Sequence, residues 1–529
     1  MTPSNLGYLL TRNANQYPEM TALVYKNQRF SYRELNEKVN RLAHSMMDLG
    51  ITKGDKVGYL FPNCNQIVEL LFALLKIGAV AVPLNHRLIS REIKCLLDSA
   101  ECKAFVYSDI YAEKVEEVKG RFNTVKLLIC SGKHTLDEYS FEQLGCHEKK
   151  HEPEVCVEEN DLSRIQFTGG TTGRSKGVMR THKSDLFQTI SIMTQNKMGA
   201  SPGEVVLTQS PLHHQGGVSW LFSVVAAGAQ LVISDVFDPE RILKQIQDYR
   251  VTYLMLLPPS TYLRLFDIPN FQNFDLSSVR LVQMSAGGTS PEILLKTYEA
   301  FPNCEINYGW GQTESGAGTG HVLTREMAVN LSPRIKSVGR AMPFFEIRIV
   351  DEQGKDVQIG EAGECIVRGP SVMLGYYSQP ELTAKAIKDG WVYTGDIFRQ
   401  DEEGYYYLLD RKKDMIKTGG ENVFAQEVEG VIRSHPAIQD CAVIGIPDTV
   451  FGEAVMAVIK LRTGWTLTAD EVKKHCKSQL ASYKKPRYIE FVESFPVDSA
   501  GKIQKYRVRE MYKTFTEIKQ YEEEKYCGF

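Results

Sequence analysis

The chain has 529 residues, of which 43% are hydrophobic and 24% charged, a composition typical of folded globular proteins. Chains beyond about 300 residues usually divide into several hydrophobic cores, so we expect two or more domains. The 62 Lys and Arg residues nearly balance the 65 Asp and Glu residues, for a formal net charge of −3. This balance argues against a broad basic surface for nucleic acid, so any anionic ligand must be held by a local site.

The first third of the chain alternates between helical and strand patterns. Ser31 and Glu34 predict a capping box ahead of apolar residues at helical spacing, and Gly50 ends that helix. A strand is predicted over residues 56–61, followed by a helix that ends at Gly78. Further short apolar runs predict strands at 79–82, 104–107, 125–129, 205–208, 230–233, 253–257 and 279–283. Apolar runs separated by helices indicate largely parallel sheets covered on both faces.

The pattern changes after about residue 340. Residues 346–351 and 364–368 predict a hairpin, and 405–409 predict another strand after a Glu-Glu-Gly turn. A separately patterned segment follows, with predicted helices near 426–433 and 470–480 and strands near 441–446 and 454–461. We place a domain boundary in the charged link Asp410–Lys413, giving domains at 1–410 and 411–529.

Cysteine usage and hydropathy indicate the compartment. Eleven cysteines, an odd number, are scattered from Cys64 to Cys527 without a Cys-x-x-Cys pair or zinc-ligand spacing. This is typical of reduced thiols in a cytosolic protein. The N-terminus lacks a signal-peptide pattern, and the apolar stretch Leu70–Leu84 is interrupted by Lys76 and too short to span a bilayer. We therefore predict a cytoplasmic protein without a transmembrane segment, and leave peripheral membrane contact open.

The most specific segment is Phe167–Gly177, Phe-Thr-Gly-Gly-Thr-Thr-Gly-Arg-Ser-Lys-Gly. Its backbone N–H groups and hydroxyls can surround an oxyanion, while Lys176 supplies positive charge. It is not a Walker A loop, because Ser175 stands where that motif has Gly before Lys. A flexible surface loop is the alternative. The strand pattern of residues 165–167 leading into it favours phosphate binding.

This loop resembles the phosphate-binding signature of the AMP-forming acyl-CoA synthetase superfamily, with Gly169 in place of Ser and Ser175 in place of Pro. Four further segments match in order, so that the resemblance covers nearly the whole chain: Trp310–Glu314, Tyr393–Asp396, Asp410–Gly420 and Phe495–Ile503. The resemblance implies an α/β fold, with a large N-terminal domain of stacked α/β sheets plus a β-barrel-like part. A small, mobile α+β C-terminal domain would complete it.

The resemblance also implies a nucleotide site. Trp310 would stack on adenine, Thr313 would hold a phosphate, and Asp396 and Arg411 would contact the ribose. Taken alone, Asp396 could equally close a hairpin, and the basic cluster around Arg411 could be a solvated edge strand. The residues expected at the nucleotide are Thr168, Gly169, Gly170, Thr171, Thr172, Gly173, Lys176, Gly287, Trp310, Gly311, Thr313, Asp396, Arg411 and Lys502.

Catalytic roles are implied for Lys502, Glu314, Thr313 and Lys417. Lys502 would reach the reacting carboxylate and the α-phosphate, and Glu314 would meet Mg²⁺, which usually binds through few carboxylates plus substrate phosphates. Lys417 would serve the second half-reaction. By the same match, Lys413 is the hinge, and Gly419 and Gly420 let the CoA arm pass close to the backbone.

The acyl pocket is less well defined by the sequence. His214, in Pro-Leu-His-His-Gln-Gly-Gly, corresponds to a family segment at the carboxylate site, although such a His is often only a core residue. Gly309 and Gly316 supply small side chains that would leave room for an acyl group. Trp220 is either a gate to the pocket or part of the core.

The implied activity is that of an acid–thiol ligase using ATP, Mg²⁺ and CoA. It would form an acyl-adenylate and then an acyl-CoA thioester, on a medium- or long-chain fatty acid. The alternatives are an aryl-CoA ligase, a stand-alone adenylation enzyme loading a carrier-protein thiol, a non-catalytic nucleotide sensor and, least favoured, a luciferase-like oxygenase. We expect small-molecule partners, no nucleic acid, and a monomer or homodimer.

Overall fold

A computed structural model describes residues 5–133, 135, 137–168, 175–200, 203–285, 288–419, 421–448, 451–477, 479–497 and 503–513. Its α-helices are α1 (Gly7–Gln16), α2 (Tyr32–Asp48), α3 (Asn65–Ile77), α4 (Ser90–Ser99), α5 (Ala112–Glu116), α6 (Phe141–Leu144), α7 (His182–Asn196), α8 (Gln215–Ala227), α9 (Pro239–Tyr249), α10 (Ser260–Phe266), α11 (Pro291–Ala300), α12 (Arg325–Val329), α13 (Pro380–Ala386), α14 (Ala425–Arg433), α15 (Ala469–Lys477) and α16 (Lys505–Met511). Short 3-10 helices cover Asp109–Tyr111, Lys119–Arg121, Phe271–Asn273, Pro333–Lys336 and Ser482–Lys484.

The strands of the first half are β1 (Thr21–Tyr25), β2 (Gln28–Ser31), β3 (Lys56–Leu60), β4 (Val80–Pro83), β5 (Cys102–Ser108), β6 (Leu127–Ser131), β7 (Tyr139–Ser140), β8 (Leu162–Thr168), β9 (Lys176–Thr181), β10 (Val205–Thr208), β11 (Gln230–Ile233) and β12 (Tyr253–Met255). Those of the second half are β13 (Leu281–Met284), β14 (Glu305–Tyr308), β15 (Gly311–Gln312), β16 (Gly316–Ala317), β17 (Thr319–Leu323), β18 (Arg340–Ala341), β19 (Glu346–Val350), β20 (Gly363–Arg368), β21 (Gly375–Tyr376), β22 (Ile387–Lys388), β23 (Trp391–Gln400), β24 (Tyr406–Arg411), β25 (Ile416–Thr418), β26 (Glu421–Val423), β27 (Ile438–Asp448), β28 (Gly452–Leu461) and β29 (Tyr488–Phe491).

Contacts along the chain divide it into two compact units. Unit 1 comprises Met1–Ile347 and Ile366–Thr394, and unit 2 comprises Arg348–Cys365 and Gly395–Phe529. The predicted boundary at Asp410–Lys413 lies inside unit 2, and the division into domains 1–410 and 411–529 stays a prediction.

Unit 1 contains two large sheets. The nine-stranded sheet has the order β18-β17-β14-β13-β12-β10-β11-β1-β2, and the eight-stranded sheet has the order β21-β9-β8-β4-β3-β5-β6-β7. Central strands pair in parallel, as in β10 with β11 and β3 with β4, whereas β8 pairs antiparallel with β9. This pattern of buried parallel strands joined by helices is the one that the apolar runs predict.

One apolar core is shared by strands of both sheets and by the helices α2, α3 and α8. The rings of Phe72 on α3 and Phe222 on α8 meet edge to face, with centroids 6.1 Å apart. The apolar stretch Leu70–Leu84 is therefore the second half of a core helix followed by strand β4. Among the described residues, no helix combines the length and apolar character needed to cross a membrane.

Unit 2 has its own core around the long β27–β28 hairpin, which pairs from Ile438↔Leu461 to Asp448↔Gly452. Because side chains alternate along a strand, one face packs against α14 and α15, and the other packs against Val508 of α16. Together, the two units confirm the predicted α/β class, with a large N-terminal domain of stacked sheets and a smaller C-terminal domain. The mobility of the smaller domain stays a prediction.

Candidate active site

Strands β8 and β9 lie on either side of the predicted phosphate loop. Their antiparallel register pairs Thr168 with Lys176, Gln166 with Val178, and Arg164 with Arg180. Paired residues, and every second residue along a strand, share one face of a sheet. We call this set of six residues the hairpin face. Thr168 and Lys176 of the predicted nucleotide site lie at the end next to the loop, and the two arginines lie at the other end.

Tyr376 joins two motifs that are far apart in the sequence. Strand β21 pairs with β9 so that Tyr376 lies opposite Val178 and on the hairpin face. The Lys176 Nζ lies 5.2 Å from the centroid of the Tyr376 ring, and the Tyr376 hydroxyl donates to Glu314 Oε1 at 3.0 Å. Burial, and then the Glu314 carboxylate, raise the pKa of Tyr376, so the hydroxyl stays protonated as a donor. The structure thus brings Lys176 and Glu314 together.

Glu314 lies at the tip of a tight hairpin formed by β15 and β16, which pairs Gly311 with Ala317 and Gln312 with Gly316. The Ser315 hydroxyl oxygen accepts from the Gln312 backbone N–H at 3.2 Å and closes the turn. A Cβ on Gly311 would lie 2.7 Å from the Gly316 carbonyl oxygen, so only glycine fits there. Thr313 and Glu314 are therefore presented by a short turn with little freedom.

Trp310, the predicted adenine-stacking residue, is only 8% exposed. Its ring packs over Gly318, where a Cβ would lie 2.8 Å from Trp310 Cζ3. The stacking role of Trp310 stays a prediction.

The arginine end of the hairpin face forms a fully buried ionic cluster, which the sequence motifs did not predict. Asp185 on α7 accepts from Arg164 Nη2 at 2.7 Å and from Arg180 Nε at 3.1 Å. Burial raises the pKa of Asp185, but the Arg164 and Arg180 guanidinium groups outweigh it and lower that pKa to about 2. Two arginines directly opposite each other across a β-ladder would repel, and the shared carboxylate relieves that repulsion.

Three glutamines extend this cluster to the neighbouring helices. Gln188 Oε1 accepts from Arg180 Nη2 at 2.7 Å, and Gln215 Oε1 accepts from Arg164 Nη2 at 3.0 Å. Gln166 Nε2 donates to the His213 carbonyl oxygen at 2.6 Å. These bonds attach α7 and the start of α8 to the hairpin face. The alternation of polar residues at 164, 166 and 168 within a buried strand is the sequence signal that could have revealed them.

His214, predicted for the acyl pocket, is the residue before α8, and its ring lies 4.6 Å from that of His213. The His213 ring in turn meets His86 at 5.1 Å. Burial lowers the pKa of His213 well below its usual value and also lowers the pKa of His86, which keeps both rings neutral. His213 Nε2 and His86 Nδ1 are buried without a hydrogen-bond partner among the described residues.

The two pocket glycines fit closely against their surroundings. A Cβ on Gly309 would lie 2.3 Å from the Thr319 carbonyl oxygen, and one on Gly316 would lie 2.9 Å from Gln188 Oε1. Gly316 also has φ +78, a conformation that favours glycine. Backbone packing thus accounts for both residues, and their role in an acyl pocket, like that of His214, stays a prediction. Trp220, 5% exposed, is part of the core.

Unit 2 brings together the two predicted ribose ligands. Asp396 and Arg411 lie directly opposite each other on β23 and β24, with Arg411 Nε 3.2 Å from Asp396 Oδ1. The Asp396 side chain is 2% exposed and that of Arg411 is 40% exposed. Asp410 beside them is fully buried, and burial raises its pKa to about 6.

The predicted hinge and CoA residues also belong to unit 2. Lys413 follows β24, and the Lys417 side chain, 65% exposed, has its Nζ 3.9 Å from Glu352 Oε1. Gly419 has φ +57, and a Cβ there would lie 3.2 Å from Phe451 Cδ1. Several predicted residues lie outside the described residues, namely Gly169, Gly170, Thr171, Thr172, Gly173, Gly287, Gly420 and Lys502.

Comparison with known proteins identifies the family. Residues 10–377 match the model of the family "AMP-binding enzyme". The chain belongs to the AMP-forming acyl-CoA synthetase superfamily. Residues 427–502 match a second model, "AMP-binding enzyme C-terminal domain". The predicted superfamily and the predicted class of enzyme, an ATP-dependent acid–thiol ligase, are confirmed.

Relatives in this superfamily carry different substrate names. The chain is 32% identical over 514 residues to a feruloyl-CoA synthase of Amycolatopsis sp, covering 97% of this chain and 100% of that protein. It is 30% identical over 536 residues to a long-chain-fatty-acid–CoA ligase of Bacillus subtilis (strain 168), covering 95% and 93%. A solved fatty acyl CoA synthetase of Mycobacterium tuberculosis superimposes with a TM-score of 0.77 at 30% identity, covering 97% and 99%.

Proposed function

We propose that this ligase joins a medium- or long-chain fatty acid to CoA, through an acyl-adenylate. The observation that carries the adenylation step is the contact of both Lys176 and Glu314 with Tyr376, on the face that leads into the phosphate loop. The fatty-acid assignment is supported by the two fatty-acyl relatives described above.

In the first half-reaction, a carboxylate oxygen of the acid attacks the α-phosphorus of ATP. The bond from that phosphorus to the bridging oxygen breaks, and pyrophosphate leaves with the electron pair. Because the nucleophile is already an anion, no general base is needed, and the site must supply positive charge and in-line positioning. Lys176 supplies charge at one end of the hairpin face, and Thr168 beside it offers a hydroxyl.

A single carboxylate at a hairpin tip fits a cation that arrives with the nucleotide. Mg²⁺ commonly binds through one or two carboxylates plus substrate phosphates and keeps several waters. Glu314 would hold such an ion, which would neutralise the phosphate oxygens when bound. The Tyr376 hydroxyl, donating to Oε1 at 3.0 Å, orients the carboxylate that would hold the ion.

In the second half-reaction, the CoA thiol releases its proton to water and its sulfur attacks the acyl carbonyl carbon. The bond to the phosphate oxygen breaks, and AMP leaves. Asp396 and Arg411 hold the ribose, Lys417 serves this second half-reaction, and the pair Gly419–Gly420 lets the CoA arm pass close to the backbone. Lys413 is the hinge that separates the two half-reactions. Lys502 contacts the carboxylate and the α-phosphate in the first half-reaction. A cytoplasmic location and a monomer or homodimer stay predictions.

An aryl acid is the second candidate substrate, favoured by the feruloyl-CoA synthase relative and by the histidine pair. His213 Nε2 and His86 Nδ1 are buried and unpartnered among the described residues, at the carboxyl ends of strands where α/β enzymes commonly bind ligands. The unpartnered nitrogen of each neutral ring can donate or accept one hydrogen bond, depending on the tautomer, which suits a phenolic hydroxyl better than an alkyl chain.

The test is an ATP–pyrophosphate exchange assay across acids of each class, followed by thioester formation with CoA. We expect the fastest exchange with medium- or long-chain fatty acids, and the loss of at least about 100-fold in Glu314→Gln and in Lys502→Ala. Faster exchange with cinnamate-like acids would assign the aryl class instead. Exchange without a CoA thioester would indicate a carrier-protein acceptor, and no exchange with any acid would leave a nucleotide sensor.

A further inference from the structure

Arg180 lies on the same face of β9 as Lys176, four residues further along the strand. We propose that Arg180 is a positioning residue of the adenylation step, which holds the Glu314 hairpin in register with Lys176. The proposal rests on the proposed function, since it assigns a task within the first half-reaction.

The guanidinium of Arg180 is completely buried and joins helix α7 to the segment at Ser371. Its Nε donates to Asp185 Oδ1 at 3.1 Å, and its Nη2 donates to Gln188 Oε1 at 2.7 Å. Its Nη1 donates to the Ser371 carbonyl oxygen at 2.5 Å. A planar fork with donors in fixed directions can make all three bonds at once, which a lysine ammonium on the same strand cannot reproduce.

Two of these partners border the residues that follow Glu314. The Ser371 hydroxyl donates to the Ser315 carbonyl oxygen at 3.5 Å. On the other side, Gln188 Oε1 lies 2.9 Å from where a Cβ on Gly316 would stand. Arg180 is thus linked to Ser315 through Ser371 and to Gly316 through Gln188. Its two terminal nitrogens fix the backbone from which the Glu314 carboxylate projects.

The bond to Asp185 sets the orientation of Arg180 itself. Asp185 is shared between Arg180 and Arg164, and it is the only carboxylate in ion-pair contact with either guanidinium within the part of the chain that the structure describes. Arg164 is held in turn by Gln166 and Gln215. The fork therefore cannot rotate away from Ser371 and Gln188 without breaking bonds in a dry interior.

This arrangement predicts an effect limited to one half-reaction. The distance between Lys176 and Glu314 matters when a triphosphate must be held between positive charge and a bound cation. An acyl-adenylate lacks the β- and γ-phosphates, so its reaction with CoA does not depend on that distance. A merely structural arginine would lower both half-reactions together, because less folded enzyme would be present.

The experiment measures the two half-reactions separately in the full-length enzyme. ATP–pyrophosphate exchange reports the first, with the acid that gives the fastest exchange in the wild type. Thioester formation from the adenylate of that acid plus CoA reports the second. The variants are Arg180→Met, Arg180→Lys and Gln188→Met, with Lys76→Met as the matched control. Lys76 is an equally buried cation of unit 1 that makes no contact with the hairpin face.

We expect Arg180→Met to lower the exchange kcat about 100-fold, with thioester formation within about threefold of the wild type. Arg180→Lys keeps the charge but not the fork, and Gln188→Met removes one branch, so each should lose about tenfold in exchange only. Lys76→Met should lower the thermal midpoint while both half-reactions stay within about twofold.

Equal losses in both half-reactions, or full exchange activity in a folded Arg180→Met enzyme, would overturn the positioning role while leaving the proposed function intact. If Arg180→Met does not fold, the same two outcomes in Gln188→Met would overturn the positioning role. A wild type that exchanges with no acid would instead contradict the proposed function, and the positioning role with it.

Discussion

Two of the groups of charged side chains that are buried in unit 1 differ in how their charge is balanced. At the first, Lys76 on α3 donates to Asn36 and Asn40 of α2 at 2.6 and 2.7 Å, and to Glu152 at 2.6 Å. One cation thus meets one carboxylate and two amide oxygens. At the second, Arg164 and Arg180 share the single carboxylate of Asp185.

The two groups also differ in how close they lie to the predicted functional motifs. The Lys76 group lies between two helices and the chain at Glu152, and none of its members belongs to a predicted functional motif. All three N–H groups of the Lys76 ammonium have an acceptor, as expected for a buried cation whose role is structural. The arginine pair instead carries more positive than negative charge and shares a face with Lys176. An excess of buried positive charge is costly, so the arginine pair should depend on the carboxylate of Asp185 more than Lys76 depends on that of Glu152.

The largest expected effect is the loss of stability when the carboxylate of each group is neutralised. Asp185→Asn leaves two buried guanidinium groups without a counter-charge, so we expect a loss of about 3–5 kcal/mol in the free energy of unfolding. The matched variant, Glu152→Gln, should lose about 1 kcal/mol, because the Glu152 side chain is 34% exposed and Lys76 keeps its amide partners. Chemical denaturation at pH 7 measures both. Similar losses in the two variants would contradict the distinction between the groups.

The next effect is a change of stability at alkaline pH, which we expect from Lys76 and not from the arginine pair. Burial lowers the pKa of Lys76 from 10.5 to about 8, although Glu152 acts in the opposite direction. Between these values the unfolded chain binds more protons than the folded chain, so the contribution of Lys76 to stability increases as the pH rises. Relative to Lys76→Met, the wild type should gain up to about 3 kcal/mol by pH 10.5.

The arginine pair provides the contrast for this pH dependence, because guanidinium groups do not lose their proton in this range. The stability difference between the wild type and Arg180→Met should therefore stay constant from pH 8 to pH 10. Denaturation curves for both pairs of proteins at several pH values make the comparison. A constant difference between the wild type and Lys76→Met would show that Lys76 remains fully charged in the folded state.

Local patterns in the sequence predict the elements well, but not their neighbours. The predicted strands at 205–208 and 230–233 coincide with β10 and β11, and the capping box at Ser31 and Glu34 is present. These features depend on residues close together in the chain. The contact of Tyr376 with Glu314, in contrast, depends on β21 pairing with β9, and nothing in the periodicity of either segment specifies that order.

The same reason explains why the arginine pair escaped prediction. Residues 164–168 alternate polar and apolar side chains, and an Arg in such a strand suggests a solvated face of the sheet. Only the register that places Arg164 opposite Arg180, with α7 supplying Asp185, shows that both are buried and paired. Family motifs identified the residues expected to touch the nucleotide, whereas the residues that hold them required the sheet order.

The smallest expected effect concerns two adjacent tyrosines of unit 1, each of which donates to a carboxylate. Tyr376 donates to Glu314 at 3.0 Å on the hairpin face, and Tyr377 donates to Glu101 at 2.6 Å at the surface. Tyr376→Phe keeps the ring under Lys176 but frees the Glu314 carboxylate to rotate. Because a hydrogen bond to a charged group contributes about 1.5–3 kcal/mol, we expect roughly a tenfold or greater loss in ATP–pyrophosphate exchange.

Tyr377→Phe is the matched control, since it removes the same hydroxyl from the neighbouring residue without touching the hairpin face. Its exchange rate should equal that of the wild type, because an exposed hydrogen bond is replaced by water at little cost. Parallel exchange assays at saturating ATP decide the matter. Equal rates in the two variants would mean that Glu314 is held by its hairpin alone, and that Tyr376 serves only to pack β21 against β9.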